Sequence, residues 1–252
     1  MQTERIVLRP RGPGEAIELG FHLTRANWAS QIGLISVLLI PITLVGYGLS
    51  YFFSPLLLLT VAWFKPSLDR ALLHQLSNNL LERPSSVSLV LKQWRQWWRG
   101  GHLVSLLWQR FNFGRSAVLP IWQLEQLSSP ARRRRAHTLS YNDRGAAITL
   151  SAFAVIIEFT FLISIVSALV TVAPDQWTQG LDFFDWLAVA SHLDLAWLLL
   201  GLAYLPVVML IEPFYVGAGF GLYLNRRSHL ECWDLEPKLK ALVERHGRRV
   251  GR

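Results

Sequence analysis

Charge is what this chain has least of. Lysine and arginine are absent from residues 26–64 and again from 145–225. Charged residues make up 17% of the 252, against 52% hydrophobic, whereas a soluble chain carries about 25% charged residues. Cysteine occurs once, at Cys232, so no internal disulfide can form. The signatures of common chemistries are missing too. The seven histidines, at positions 22, 74, 102, 137, 192, 229 and 246, make no HExxH and no paired metal spacing. GxSxG, Walker A and dinucleotide fingerprints are absent, and "GAGFG" (217–221) lacks the strand and phosphate-facing loop of a nucleotide site. No cofactor, metal or catalytic residue is expected, and an enzyme is the least supported class.

What is present is hydrocarbon. Uncharged apolar runs of 18 residues or more are transmembrane candidates. The run 32–64 has 33 residues, about 50 Å as one helix at 1.5 Å per residue, against a hydrocarbon core of about 30 Å. Gly46, Gly48, Ser50 and Pro55 supply a break, so a hairpin is expected, with spans at about 28–46 and 51–72. A third span covers about 145–172. A fourth covers about 194–224 and carries Pro206 and Pro213, which membrane helices tolerate. The expected fold is an all-α integral membrane protein of about four transmembrane helices plus cytoplasmic interfacial amphipathic helices, forming one helical domain over 1–252.

The few charges are segregated. Residues 65–144 hold 13 basic side chains and the tail after Asn225 holds eight, while 173–192 has no Lys or Arg and three Asp. The positive-inside rule therefore puts 73–144, the tail 225–252 and the N-terminus in the cytoplasm. The start "MQTERIVLRP" lacks the apolar core of a signal peptide.

Several extramembrane stretches are built to meet a surface. In 86–99, Val90, Trp94, Trp97 and Trp98 share one helical face, with Lys92, Arg95, Gln96 and Arg99 opposite. That pattern fits a helix in the membrane interface or one packed on the cytoplasmic ends of the spans. A weaker version at 15–28 sets Ile17, Phe21 and Trp28 against Glu18, His22 and Arg25. Residues 100–108 and 116–127 are apolar but too short to span, so they are re-entrant or interfacial. A helix opening at Ser129-Pro130 carries Arg132, Arg133, Arg134 and Arg135. Beside a span, each such cation near anionic lipid is worth about 1 kcal/mol, so lipid headgroups or topology explain the run and nucleic acid does not. Gly217 and Gly221 form a GxxxG pair suited to close helix packing.

Two carboxylates lie deep in the apolar runs. Glu158 is 14 residues from Arg144, and Glu212 is 14 residues from Arg226, so both sit about 21 Å from the same edge. Lys65 and Arg70, the basic residues within the spans, fall at the cytoplasmic end of the second span and leave neither Glu an ionic partner at its own depth. Each then needs hydroxyl donors such as Thr43, Ser151, Thr160, Tyr204 or Tyr215, cavity water, or a proton. A protonated Glu212 could donate to the Met209 carbonyl that Pro213 frees. Facing the bundle interior at matched depth, the two could share a proton. Intramembrane carboxylates are functional candidates by default.

Both ends of the chain carry a resemblance. "EAIELGFHLTRANWASQIGLISVLLIPI" near the start, and "LYLNRRSHLECWDLE" (222–236) near the end, are similar to the membrane domain of glycerophosphodiester phosphodiesterase-like proteins. Arg227, Glu231, Trp233, Asp234 and Glu236 match that family's closing pattern, with Cys232 in place of a usual Gly and His229 in place of a usual basic residue. The middle, with "KPSLDR", "LPIWQLEQL" and "ARRRR", resembles proteobacterial inner-membrane proteins often encoded beside MoxR-type ATPases and transglutaminase-like proteins. The resemblance implies a helical module of a bacterial inner membrane and no catalytic residues. The tail itself reads as a helix end with an Arg227–Glu231 pair and Trp233 at headgroup level, or as a docking surface that includes Asp234. The expected function is a non-enzymatic membrane component of a larger envelope-associated assembly, touching anionic lipid headgroups and other membrane or cytoplasmic proteins. The alternative is a small transporter or lipid-handling protein that uses Glu158 and Glu212.

Overall fold

The computed structural model describes residues 11–81, 83, 85–98, 107, 114–125, 129–140, 144–172 and 194–231. The described residues are helix, turn and short connections, with no strand among them. The acidic segment 173–192, Cys232, Trp233, Asp234 and Glu236 lie outside the described residues. The helices are α1 (Pro13–Ala26), α2 (Trp28–Ser50), α3 (Leu56–Leu80), α4 (Val87–Lys92), α5 (Trp94–Trp98), α6 (Arg115–Leu124), α7 (Ser129–Ser140), α8 (Arg144–Val172) and α9 (Asp194–Glu231).

Three of these are long and apolar enough to cross a membrane: α2, α8 and the 197–230 stretch of α9. Their outer faces are hydrocarbon. Ile40, Leu44 and Val45 on α2, and Phe153, Ile156, Phe159 and Ile163 on α8, are all exposed. In water such a surface would drive association, whereas in lipid it is the natural outside of a bundle. On α8 the buried residues are Ala147, Ser151, Glu158, Leu162 and Val166, a narrow stripe down one face.

The hairpin forms, with its bend later than the sequence reading put it. Helix α2 runs straight through Gly46 and Gly48 to Ser50, and residues 51–55 turn the chain into α3. Gly46 serves packing: a Cβ there would lie 3.0 Å from Leu57 Cδ1. The absent side chain lets Leu57 seat against α2, and Leu57 also presses on Gly201 of α9. Helix α3 then continues to Leu80, eight residues past the expected end of that span. It is not among the three membrane-capable helices, since Lys65, Asp69 and Arg70 interrupt it. Protein surrounds its second half: every residue from Pro66 to Asn78 is buried.

Helix α9 is the hub and packs on α1, α2, α3, α6 and α8. Helix α1 lies antiparallel along it through small residues. A side chain at Gly221 would strike the Ala16 carbonyl, one at Gly20 would strike the Gly217 carbonyl, and Thr24 Oγ1 donates to the Pro213 carbonyl at 3.2 Å. The apolar face seen at 15–28 is used here too, because Phe21 packs edge-on and Trp28 at a tilt against Phe214 of α9, at 5.6 and 5.1 Å between ring centroids. Asn225 exchanges two hydrogen bonds with the Arg11 backbone, at 2.8 and 2.9 Å, so the start of α1 and the end of α9 lie together.

The single amphipathic helix expected over 86–99 is two short ones, broken at Gln93. Trp97 turns inward: it is buried, its Nε1 donates to the Val90 carbonyl at 3.1 Å, and its own carbonyl accepts from Arg70 Nε at 2.9 Å. Leu34, Ala71, Val90 and Trp97 pack as one cluster. The pair therefore caps the α2–α3 hairpin, while Trp94 and Trp98 remain partly exposed.

Candidate functional site: a buried ion network

The expectation that Glu158 and Glu212 lack an ionic partner is corrected. Lys65 lies between them. Its Nζ is ion-paired to Glu158 Oε1 and lies 2.8 Å from Glu212 Oε2. The reason is the length of α3. Because the helix reaches Leu80, Lys65 sits fifteen residues from its C-terminal end, about 22 Å at 1.5 Å per residue and level with both carboxylates. Helices α3 and α9 run parallel, with Leu57 against Gly201 and Lys65 against Glu212. Once the hairpin is seated, the lysine arrives at the glutamate.

One helical turn on, Asp69 faces the same space, and Arg115 completes the set. Arg115 Nη2 lies 3.2 Å from Asp69 Oδ2 and 3.4 Å from Glu212 Oε1. Its helix, α6, is the expected short apolar segment, now seen to be packed on the bundle with Leu119, Pro120 and Ile121 buried. Ser116 sits directly on Gly219, where a Cβ would come within 2.5 Å of it, and that close approach brings the neighbouring Arg115 in. Burial alone would weaken Arg115's hold on its proton. Asp69, Tyr215 and Glu212 outweigh this and hold the guanidinium above its ordinary value, so it stays charged.

Tyrosines finish the shell. Tyr204 OH donates to Glu158 Oε2 at 3.1 Å. Tyr215 and Ser151 hydrogen-bond each other at 2.9 Å, and the Tyr215 ring lies under Arg115, 5.4 Å from guanidinium carbon to centroid. Of the hydroxyl donors named from the sequence, Tyr204 reaches a carboxylate, while Thr160 bonds its own helix at the Ile156 carbonyl. Glu212 is fully buried and faces Lys65 and Arg115.

With all five groups ionised, three carboxylates meet two cations. The formal charge is one negative, inside a bundle whose exterior is hydrocarbon. Burying a net charge is costly unless it is compensated, so the network is chemically equipped to take up one positive charge.

The remaining candidates form a separate clasp. Arg135 Nε donates to Glu125 Oε2 at 3.0 Å, Tyr223 OH donates to Glu125 Oε1 at 3.0 Å, and Arg227 Nη1 donates to Tyr223 OH at 3.1 Å. Arg132 lies over the Trp122 ring at 4.9 Å, and Arg134 is exposed. The side chains of Arg133 and Glu231 lie outside the described residues. This chain of contacts ties α7 to α6 and to the end of α9. Lys65, Asp69 and Arg115 are the network members the sequence reading did not assign. The i,i+4 spacing of Lys65 and Asp69 was the one local sign of them.

No protein family, no curated protein and no solved structure matches this chain.

Proposed function

We propose that this is a non-enzymatic, four-span protein of a bacterial inner membrane that acts as a small proton-coupled carrier through its buried ion network. The observation that carries this reading is the charge imbalance: Asp69, Glu158 and Glu212 against Lys65 and Arg115. Helix α3 serves as the fourth span, its charges turned inward on α8 and α9 and its apolar first half beside α2. The Arg11–Asn225 contact supports both termini on one side, and the basic blocks favour the cytoplasm for that side. Titratable groups deep in a membrane bundle are the usual parts of proton relays. The test is proton uptake by the purified full chain after a pH jump, followed with an indicator dye. The wild-type protein should take up a proton that folded Glu212→Gln does not. Equal uptake by both would overturn the reading.

A second reading, a membrane component of a larger envelope-associated assembly resting on anionic headgroups, draws on the cytoplasmic-side surface. Trp94 and Trp98 stand partly exposed in an edge-to-face pair at 6.1 Å, with Arg95 5.6 Å from the Trp94 centroid. Co-purification of stoichiometric partners in mild detergent, lost on replacing Trp94 and Trp98 by Ser, would support this reading. Purification of the chain alone from native membranes would count against it.

A further inference from the structure

The proposed carrier role requires one proton in the network and leaves its position open. Glu158 has little use for it. Each of its oxygens already has a donor, Oε1 from Lys65 and Oε2 from Tyr204, so protonation would cost one of those bonds. The other side of the network is different. Asp69 Oδ2 and Glu212 Oε1 both turn to a single nitrogen, Arg115 Nη2. The two carboxyl groups therefore converge on one guanidinium nitrogen. Asp69 Oδ1 is buried with no hydrogen-bond partner. An unpartnered buried carboxylate oxygen costs its full desolvation penalty, and two like charges drawn to one nitrogen oppose joint ionisation. One proton relieves both at once, because the protonated group becomes a donor and the other a receiving carboxylate.

We infer that Asp69 and Glu212 share the network's proton, forming an acid–carboxylate pair held between Lys65 and Arg115. This rests on the carrier reading of the same site and gives the role to a residue, Asp69, that sequence alone did not single out. Among the described residues, charged and hydroxyl groups reach the network from four helices. Helix α3 contributes Lys65, α6 Arg115, α8 Glu158, and α9 Tyr204 and Tyr215. Helix α2 contributes no charged side chain, α1 contributes the Thr24 hydroxyl on the Pro213 carbonyl, and Arg132 and Arg135 of α7 engage Trp122 and Glu125. The proton therefore has two cations beside it and a carboxylate partner. Its uptake converts the five-group network from one negative to neutral with no other ion required.

The experiment is infrared difference spectroscopy across a pH jump. It uses the full chain reconstituted in vesicles of neutral phospholipid, with carboxyl-13C aspartate or carboxyl-13C glutamate incorporated in separate preparations. The pH-dependent band of the protonated carboxyl should shift with either label. It should be lost in Asp69→Asn and in Glu212→Gln, and kept in Glu158→Gln. A band that shifts with glutamate label alone, or that survives in folded Asp69→Asn, would overturn the shared pair while leaving proton uptake by the network intact. Absence of any pH-dependent carboxyl band in the wild-type protein would overturn the carrier reading together with the pair. The labels leave the sequence unchanged, so the result does not depend on either variant folding.

Discussion

A lysine between two glutamates in a bundle is a costly arrangement to break. Its side chain is 12% exposed and that of Glu212 is fully buried, so water can do little for a carboxylate that loses its ammonium. Removing one partner of a buried pair typically costs about 3–5 kcal/mol, because the other charge is left uncompensated. Lys65→Met is therefore expected to lower stability in detergent by that order, measured by thermal or denaturant unfolding. Adding Glu158→Gln to Lys65→Met should recover a good part of the loss, since it removes one of the two stranded charges. If the double variant proves less stable than Lys65→Met alone, the network does not work as described. Tyr204→Phe is a gentler probe. It deletes one hydrogen bond to Glu158 and should cost about 1 kcal/mol, the scale of side-chain hydrogen bonds within membrane bundles. Both glutamates could be found in the sequence, because a carboxylate inside an apolar run is a local signal. Their partner could not be, because Lys65 becomes a partner only through the end-point of α3 and its register beside α9. Neither is written in the residues around it.

Packing elements depend here on what glycine omits. Helix α1 approaches α9 closely because Gly20, Gly217 and Gly221 carry no Cβ, and the contacts at Gly20 and Gly221 are backbone, which cannot swing aside. Gly221→Val would drive a side chain into the Ala16 carbonyl. Overpacking of this kind costs about 1–3 kcal/mol, and the expected result is a displaced α1, seen as faster proteolysis near Ala26 with α8 and α9 still protected. Unchanged proteolysis and stability would count against the seam. The GxxxG spacing made this close packing legible in advance, and the long apolar run with its prolines and glycines made the hairpin legible. Two features were hidden. The tryptophan face at 86–99 reads as one amphipathic helix by periodicity, yet the chain breaks at Gln93 so that Trp97 can fill a pocket over Leu34 and Ala71. The polar half of α3 looks like a helix leaving the membrane, yet Asp69, Arg70, His74 and Gln75 are buried. Periodicity reports which face of a helix is apolar, and says nothing of polar residues satisfied by other polar residues.

The whole molecule has its charges sorted twice, once by side and once by depth. By depth, the ionised groups within the bundle turn inward while α2 and α8 present hydrocarbon outside, as an apolar surround requires. By side, the 13 basic residues of 65–144 and the eight after Asn225 stand against none in 145–225. Arg11 and Asn225 join the two ends of the bundle on the basic side. Each end of a span carries its own orientation preference through these cations, and here all of them agree. Cysteines introduced one at a time report the outcome, in a Cys232→Ser background that removes the natural thiol. At Thr178 or Gln179, between α8 and α9, a membrane-impermeant thiol reagent added to intact cells should label the protein. At Ser128 or Ser140, on the arginine side, labelling should appear only after the membrane is opened. The reverse pattern would invert the molecule, while labelling of all four sites from outside would leave it without a fixed orientation. Labelling of Thr178 and Gln179 alone would fix the basic face, with the Arg135–Glu125–Tyr223–Arg227 clasp, toward the cytoplasm.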